Sequence, residues 1–176
     1  MIVYSLKTLT ALMLLSFGLS TVPLSTTTAA EATVSKADTA AVMQPVQKLV
    51  AAINSALPKI PVDVFTNDAI VIDDFAPYHW SGKSNAAQWY TELVGTTPKA
   101  RADFAAMKGR VALGQPNFTR ITKDSAYLVI PSSFDFTDAG AHMHQTSEWV
   151  FNVVKVNGKW LIAGNAWAMK TEKKLK

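Results

Sequence analysis

Apolar residues at Val42, Val46, Leu49, Val50, Ile53 and Leu57 are separated by four, three, one, three and four positions, the spacing of a helix that buries one face. Pro45 fits only the first turn of such a helix, so the spacing predicts a start near Met43 or Gln44, with Pro58 and Pro61 ending it. A short second helix or turn is expected over 62–67. Residues 69–75 then read as a β-rich strand carrying Asp73 and Asp74, followed by a turn at Gly82. Ser84 stands where it would cap a second amphipathic helix. In that helix Ala86, Trp89, Tyr90, Leu93 and Val94 recur at i, i+3, i+4, i+7 and i+8, and Gly95 stops it. Over 96–107 the pattern is ambiguous: Pro98 opens a charged turn or short helix.

Beyond residue 110 the period changes from helix to strand. Strands are expected over 110–121, 126–136, 142–156 and 159–169, with turns at Lys123 and Asp124 and through Asp138 and Gly140. Asn157-Gly158 joins the last two, and both residues tolerate the positive φ of a type I′ hairpin turn. Helices first and a long meander afterwards predict an α+β domain over 42–170, a cone-like, cystatin-like roll in which a curved antiparallel sheet wraps around the N-terminal helices.

The first residues follow a different rule. Lys7 precedes an apolar run over 9–19, then Pro23, a Ser/Thr stretch and the small residues Ala29, Ala30 and Ala32, the order of a signal peptide and its cleavage region over 1–32. Cleavage is expected after Ala30 or Ala32, with a polar spacer over 33–41. The run is shorter than the roughly 20 residues that a spanning helix needs, so a periplasmic or secreted chain without a stable membrane span is expected. No cysteine is present, which excludes disulfides, a lipid-modified N-terminal Cys and thiol chemistry. The net charge is +4, and it stays +4 when Lys7 and Glu31 leave with the leader. Lys170, Lys173, Lys174 and Lys176 supply most of that excess, so 171–176 read as a basic, solvated tail. The folded part carries no basic stripe, and nucleic acid is not an expected partner.

Motifs narrow the chemistry further. The chain contains no G-x-S-x-G, H-E-x-x-H, P-loop or dinucleotide fingerprint, and no cofactor or metal is expected. His142, His144 and Glu148 share one face of a strand, but their spacing is near the upper limit for joint ligation, and rim histidines are the simpler reading. Trp149, Phe151 and Val153 form the other face of that strand, packed on the helices or on a dimer partner. Trp160 reads as core, and Tyr78, His79 and Trp80 as residues of the cavity mouth. Asn117 fits N-x-[ST], a glycan acceptor only along a eukaryotic secretory route.

The order of elements, the run FTNDAIVIDD, the Gly82 turn, the Trp89-Tyr90 helix and the closing VVKVNGKWLIAGNAWA hairpin resemble the SnoaL-like and ketosteroid-isomerase-like branch of the nuclear-transport-factor-2-like superfamily. The likeness covers nearly the whole mature chain, and it implies a small-molecule cavity between helices and sheet; a homodimer through the convex sheet face is expected with a non-catalytic assembly role. In the ketosteroid isomerases the catalytic base is the Asp of a V-E-D-P run, which falls here on Asp73 in V-I-D-D. The family's pocket aromatics fall on Trp89 and Tyr90, and its Trp near the end of the last strand falls on Trp167. The oxyanion Tyr falls on Ile53 and a supporting Tyr on Phe65, so neither hydroxyl is present. The second oxyanion donor falls on Asn152 or its apolar neighbours. Losing such a donor costs on the order of 10²-fold or more, and steroid isomerisation by the full family machinery is not expected.

Two functions follow as expectations. The first is a cofactor-free isomerase, lyase or cyclase acting on a small apolar or carbonyl-containing molecule, with Asp73 as general base, Tyr90 or Asn165 polarising an oxygen, and Phe65, Trp89, Asn152, Asn165 and Trp167 around the ligand. The second is a non-catalytic binding or assembly module on the same fold.

Overall fold

The computed structural model describes residues 36–61 and 63–175. The expected leader and the start of the spacer lie outside the described residues. Among the described residues no helix is long and apolar enough to cross a membrane.

The first helix, α1, spans Lys36–Asn54 and therefore begins before the point that Pro45 was expected to set. Pro45 lies inside it, at a typical cost of about 3 kcal/mol to a helix interior. Burial offsets that cost, because Val42, Val46 and Leu49 are fully buried on the face that meets the sheet. Asn54 then pins the helix end. Its Nδ2 donates to the Val111 carbonyl at 3.0 Å, and its Oδ1 accepts from the Val111 N–H at 2.7 Å.

Strand β1 is Phe65–Ile72, earlier than the expected 69–75, so Asp73 and Asp74 lie just past its end. The two-residue strand β2, His79–Trp80, pairs back on it. Helix α2, Asn85–Val94, buries Ala86, Trp89, Tyr90 and Val94, as its spacing predicts. Ser84 holds the cap position with a left-handed φ of 63°, but its hydroxyl makes no cap bond. The ambiguous stretch forms helix α3, Pro98–Ala106, where the Thr97 side chain accepts from the Ala100 N–H.

The remaining strands are β3 (Arg110–Leu113), β4 (Phe118–Ile121), β5 (Ser125–Asp138), β6 (Ala141–Val156) and β7 (Lys159–Lys174). One strand was expected over 110–121; two form, both on β5, because Gly114 and Pro116 interrupt the run. The Asn157-Gly158 turn has φ of 50° and 80°, as the hairpin requires. The tail expected from 171 is strand as far as Lys174: Thr146 and Thr171 hydroxyls meet at 2.7 Å, and Gln145 donates to Glu172 at 2.7 Å.

The fold is α+β, with a curved, unclosed sheet in the order β2-β1-β7-β6-β5-β3 and β4 beside β5. It is mixed rather than antiparallel, because β1 runs parallel to β7. Alternation sets the inner face: Leu128 and Ile130 of β5, and Trp149, Phe151 and Val153 of β6, all point to the helices. This core and α2 leave a cavity open toward the end of β1.

Candidate functional site

Asp73 follows the last residue of β1, where the chain turns through 74–78. Its backbone N–H reaches the Tyr78 carbonyl at 3.2 Å. The side chain is partly buried and Asp74 is exposed, so the pair divides as expected for adjacent residues at a strand end. Two donors hold the carboxylate: the Asp74 N–H reaches Oδ1 at 2.8 Å, and the Trp89 Nε1–H reaches Oδ2 at 2.7 Å. Burial pushes its pKa up to about 6, against the opposing pull of these two bonds and with a smaller push from the Asp74 charge. Such a group is mostly ionised at neutral pH yet basic enough to accept a proton.

The cavity beside it measures about 220 Å³. Trp89, Trp149 and Trp167 line it with Phe134 and Phe136, while Ile53, Leu93, Met107 and Val111 complete the apolar wall. Asp73, Asp74 and Gln145 are its polar groups. Pockets for drug-sized ligands measure about 300–1,000 Å³, so the cavity suits a smaller molecule than a steroid. The parallel register of β1 and β7 explains how base and aromatic wall meet. Val71 pairs with Asn165 and Ile72 with Ala166, and the residues that follow these pairs, Asp73 and Trp167, both line the cavity. Trp149 and Trp167 face one another across β6 and β7, edge to face, with centroids 5.2 Å apart.

The other candidate residues lie in four different settings. Asn165 is 6% exposed; its Oδ1 accepts from Trp149 Nε1 at 3.2 Å, and its Nδ2 is buried without a partner. Phe65 is half-buried and packs edge-on against Trp89 at 6.1 Å, behind the cavity wall. Tyr90 is fully buried but its ring does not line the cavity: its hydroxyl donates to the Leu57 carbonyl at 3.0 Å, tying α2 to the turn after α1. Burial raises its pKa to about 12. Asn152 is exposed on the outer face of β6, one residue out of phase with buried Phe151 and Val153. The sheet therefore brings Asp73, Trp89 and Trp167 together around the cavity, sets Asn165 beneath Trp149, and keeps Tyr90 and Asn152 away.

Sequence reasoning missed Phe134, Phe136 and Gln145. Strand parity was the available signal, since Phe134 and Phe136 continue the inner series of Leu128 and Ile130, and Gln145 that of Trp149. On the outer face His144 Nδ1 meets Asp135 Oδ1 at 2.7 Å, while Glu148 meets Asn117 and Lys170. These groups do not converge, and among the described residues no cluster of His, Cys, Asp or Glu could hold a metal ion.

No protein-family model matches the sequence, and no curated protein matches it. Solved structures do. A hexachlorocyclohexane dehydrochlorinase, LinA-type3 of Novosphingobium barchaimii, superposes with a TM-score of 0.63 at 9% identity, over 79% of this chain and 90% of its own. A nuclear transport factor 2-like superfamily protein of Salmonella enterica superposes at 0.56 and 17% identity, over 74% and 89%. A protein with a cystatin-like fold from Caulobacter vibrioides gives 0.55 and 16%, over 76% and 89%. The chain thus has the cystatin-like fold of nuclear-transport-factor-2-like proteins, and likeness at such low identity defines the fold alone.

Proposed function

We propose that this chain is an exported, SnoaL-like domain that takes a small, mostly apolar molecule into the aromatic cavity and moves a proton within it without a cofactor. The observation that carries the reading is the Asp73 carboxylate, partly buried at the wall of an apolar cavity and aimed by Trp89. In such a setting the carboxylate takes a proton from a carbon next to a carbonyl, then returns it elsewhere on the molecule as an isomerase or leaves it while a group departs as a lyase. Trp167 lines the cavity, and its indole N–H would polarise the substrate oxygen; Asn165 Nδ2 is buried without a partner but lies beneath Trp149, off the cavity wall. Asp73→Asn tests the role: turnover of small carbonyl compounds should fall on the order of 10²-fold or more with the fold intact. Unchanged turnover would remove the mechanism.

A binding module without turnover is supported by a different observation. Trp89 and Trp149 spend their indole N–H groups on Asp73 and Asn165, and Gln145 one of its two amide N–H groups on Glu172, so few donors remain for a substrate oxygen. A thermal-shift response to small molecules with no product formed at any Asp73 ionisation state selects this reading.

The same chain is proposed to be a homodimer through the convex sheet face. Ile72, Ala166, Val150, Val129 and Phe118 stand in one register row across five strands, with Ile72 and Phe118 about half exposed. Ile72→Lys should then give a monomer in light scattering. Export is tested by sequencing the mature N-terminus, expected after Ala30 or Ala32.

A further inference from the structure

The cavity has an electrostatic character that its apolar lining obscures. Asp73 and Asp74 are its ionisable groups, and no lysine, arginine or histidine lines it. Among the described residues neither carboxylate has an ion-pair partner. Gln145 donates one amide N–H to Glu172 at 2.7 Å and keeps its amide oxygen and its second N–H. Three indoles and two phenyl rings complete the wall, and the face of an aromatic ring is its negative pole. Apart from Trp167 Nε1 and the second Gln145 N–H, the side chains therefore offer a ligand acceptors and negative charge within an aromatic wall. A partly buried carboxylate without a counter-charge is costly, and a cation entering the cavity would relieve that cost.

We infer that the molecule held here is a small organic cation, a substituted alkylammonium seated among Trp89, Trp149 and Trp167 with Asp73 and Asp74 as its counter-charges. The inference rests on the reading of this cavity as a small-molecule site and adds a charged head to the mostly apolar molecule of that reading. At about 220 Å³ the space fits a compact ammonium head rather than a large ring system. Methylated ammonium suits it better than a metal ion, because aromatic rings attract a diffuse charge while, among the described residues, no group of three or more His, Cys, Asp or Glu comes together to hold a metal.

The test compares choline with its uncharged isostere 3,3-dimethylbutan-1-ol, in which carbon replaces nitrogen. Both are titrated into the intact chain while the indole N–H signals are followed by NMR. Choline should shift the Trp89, Trp149 and Trp167 signals and bind about tenfold or more tightly than the isostere. The double variant Asp73→Asn, Asp74→Asn should lose that preference while still unfolding cooperatively; Asp74→Asn alone should lose part of it should the double variant not fold. Equal or tighter binding of the isostere overturns the cation and leaves the small-molecule cavity standing. No indole shift with either probe overturns both.

Discussion

Trp89 Nε1 donates to Asp73 Oδ2 at 2.7 Å and thereby joins the middle of α2 to the end of β1. One bond does two things here: it satisfies a buried indole, and it holds the carboxylate in the ionised state against the cost of burial. Trp89→Phe keeps the ring in place and removes the donor. The midpoint of Asp73 should then rise above about 6, and the fold should lose about 1–3 kcal/mol at neutral pH. Carboxyl chemical shifts against pH, with denaturant unfolding, measure both. A midpoint unmoved by the substitution would show that the bond does not tune this group.

Asp73 also sets a pH dependence of stability whose sign is opposite to that of a paired carboxylate. Its folded pKa, about 6, lies above the ordinary value of 3.8, so the folded state binds the proton more tightly. The contribution is present below about 4 and is lost as pH rises from about 4 to 6, a total on the order of 3 kcal/mol. Asp73→Asn cannot titrate. Relative to the wild type it should gain about that amount between pH 4 and pH 7, whatever its stability at either pH, because one donor loses its oxygen at both. Turnover, where Asp73 is the base, should rise with pH through the same midpoint. Parallel stability curves for the two proteins would sink this account.

The parts of this fold that local pattern controls were legible in the chain. Alternation and turn chemistry placed Asn157-Gly158, and a 3.6-residue period placed Trp89 and Tyr90 on the buried face of α2. That period does not reveal where a hydroxyl ends, which is why Tyr90 was expected in the cavity and instead bonds the Leu57 carbonyl. Pro45 weighed against a helix that tertiary burial sustains. The parallel pairing of β1 with β7 joins segments about 95 residues apart in the chain, and no local spacing records it. Yet that register is what brings the ends that carry Asp73 and Trp167 to one cavity. Beyond residue 170 the chain reads as a polar tail because both faces of β7 are wet there, so no alternation marks the strand.

Gly95 closes α2 at φ 108°, a conformation that L side chains rarely adopt. Space is as restrictive as the dihedral. A Cβ at this position would lie 2.6 Å from both the Ala100 carbonyl carbon and the Arg101 nitrogen, backbone atoms of α3 that cannot swing aside. Gly95→Ala should destabilise the chain by more than about 1 kcal/mol despite the lower entropy of its unfolded state. Met107, on the cavity wall, follows directly after α3, so displacement of that helix should also weaken whatever ligand the cavity takes. Thermal unfolding of the variant, with and without ligand, measures the two effects; a midpoint equal to the wild type would show that α3 yields without cost.

Asn54 replaces a missing strand at the edge of the sheet. β3 pairs with β5 on one side, and on the other side the Asn54 amide supplies both a donor and an acceptor to Val111, much as a neighbouring backbone would. Asn54→Ala leaves the N–H and the carbonyl of Val111 without these partners while removing little apolar area. The cost should be about 1–3 kcal/mol for each group that water does not reach, smaller for any that it does. Asn54→Asp keeps the acceptor and loses the donor, so its cost should fall between the wild type and Ala at a pH where the carboxylate is ionised. Because Val111 and Ile53 both line the cavity, the loosened edge should show first there. Amide exchange at Val111 should then accelerate more than at Leu128 in the centre of the sheet. Equal acceleration at the two sites would mean that the substitution acts on global unfolding alone.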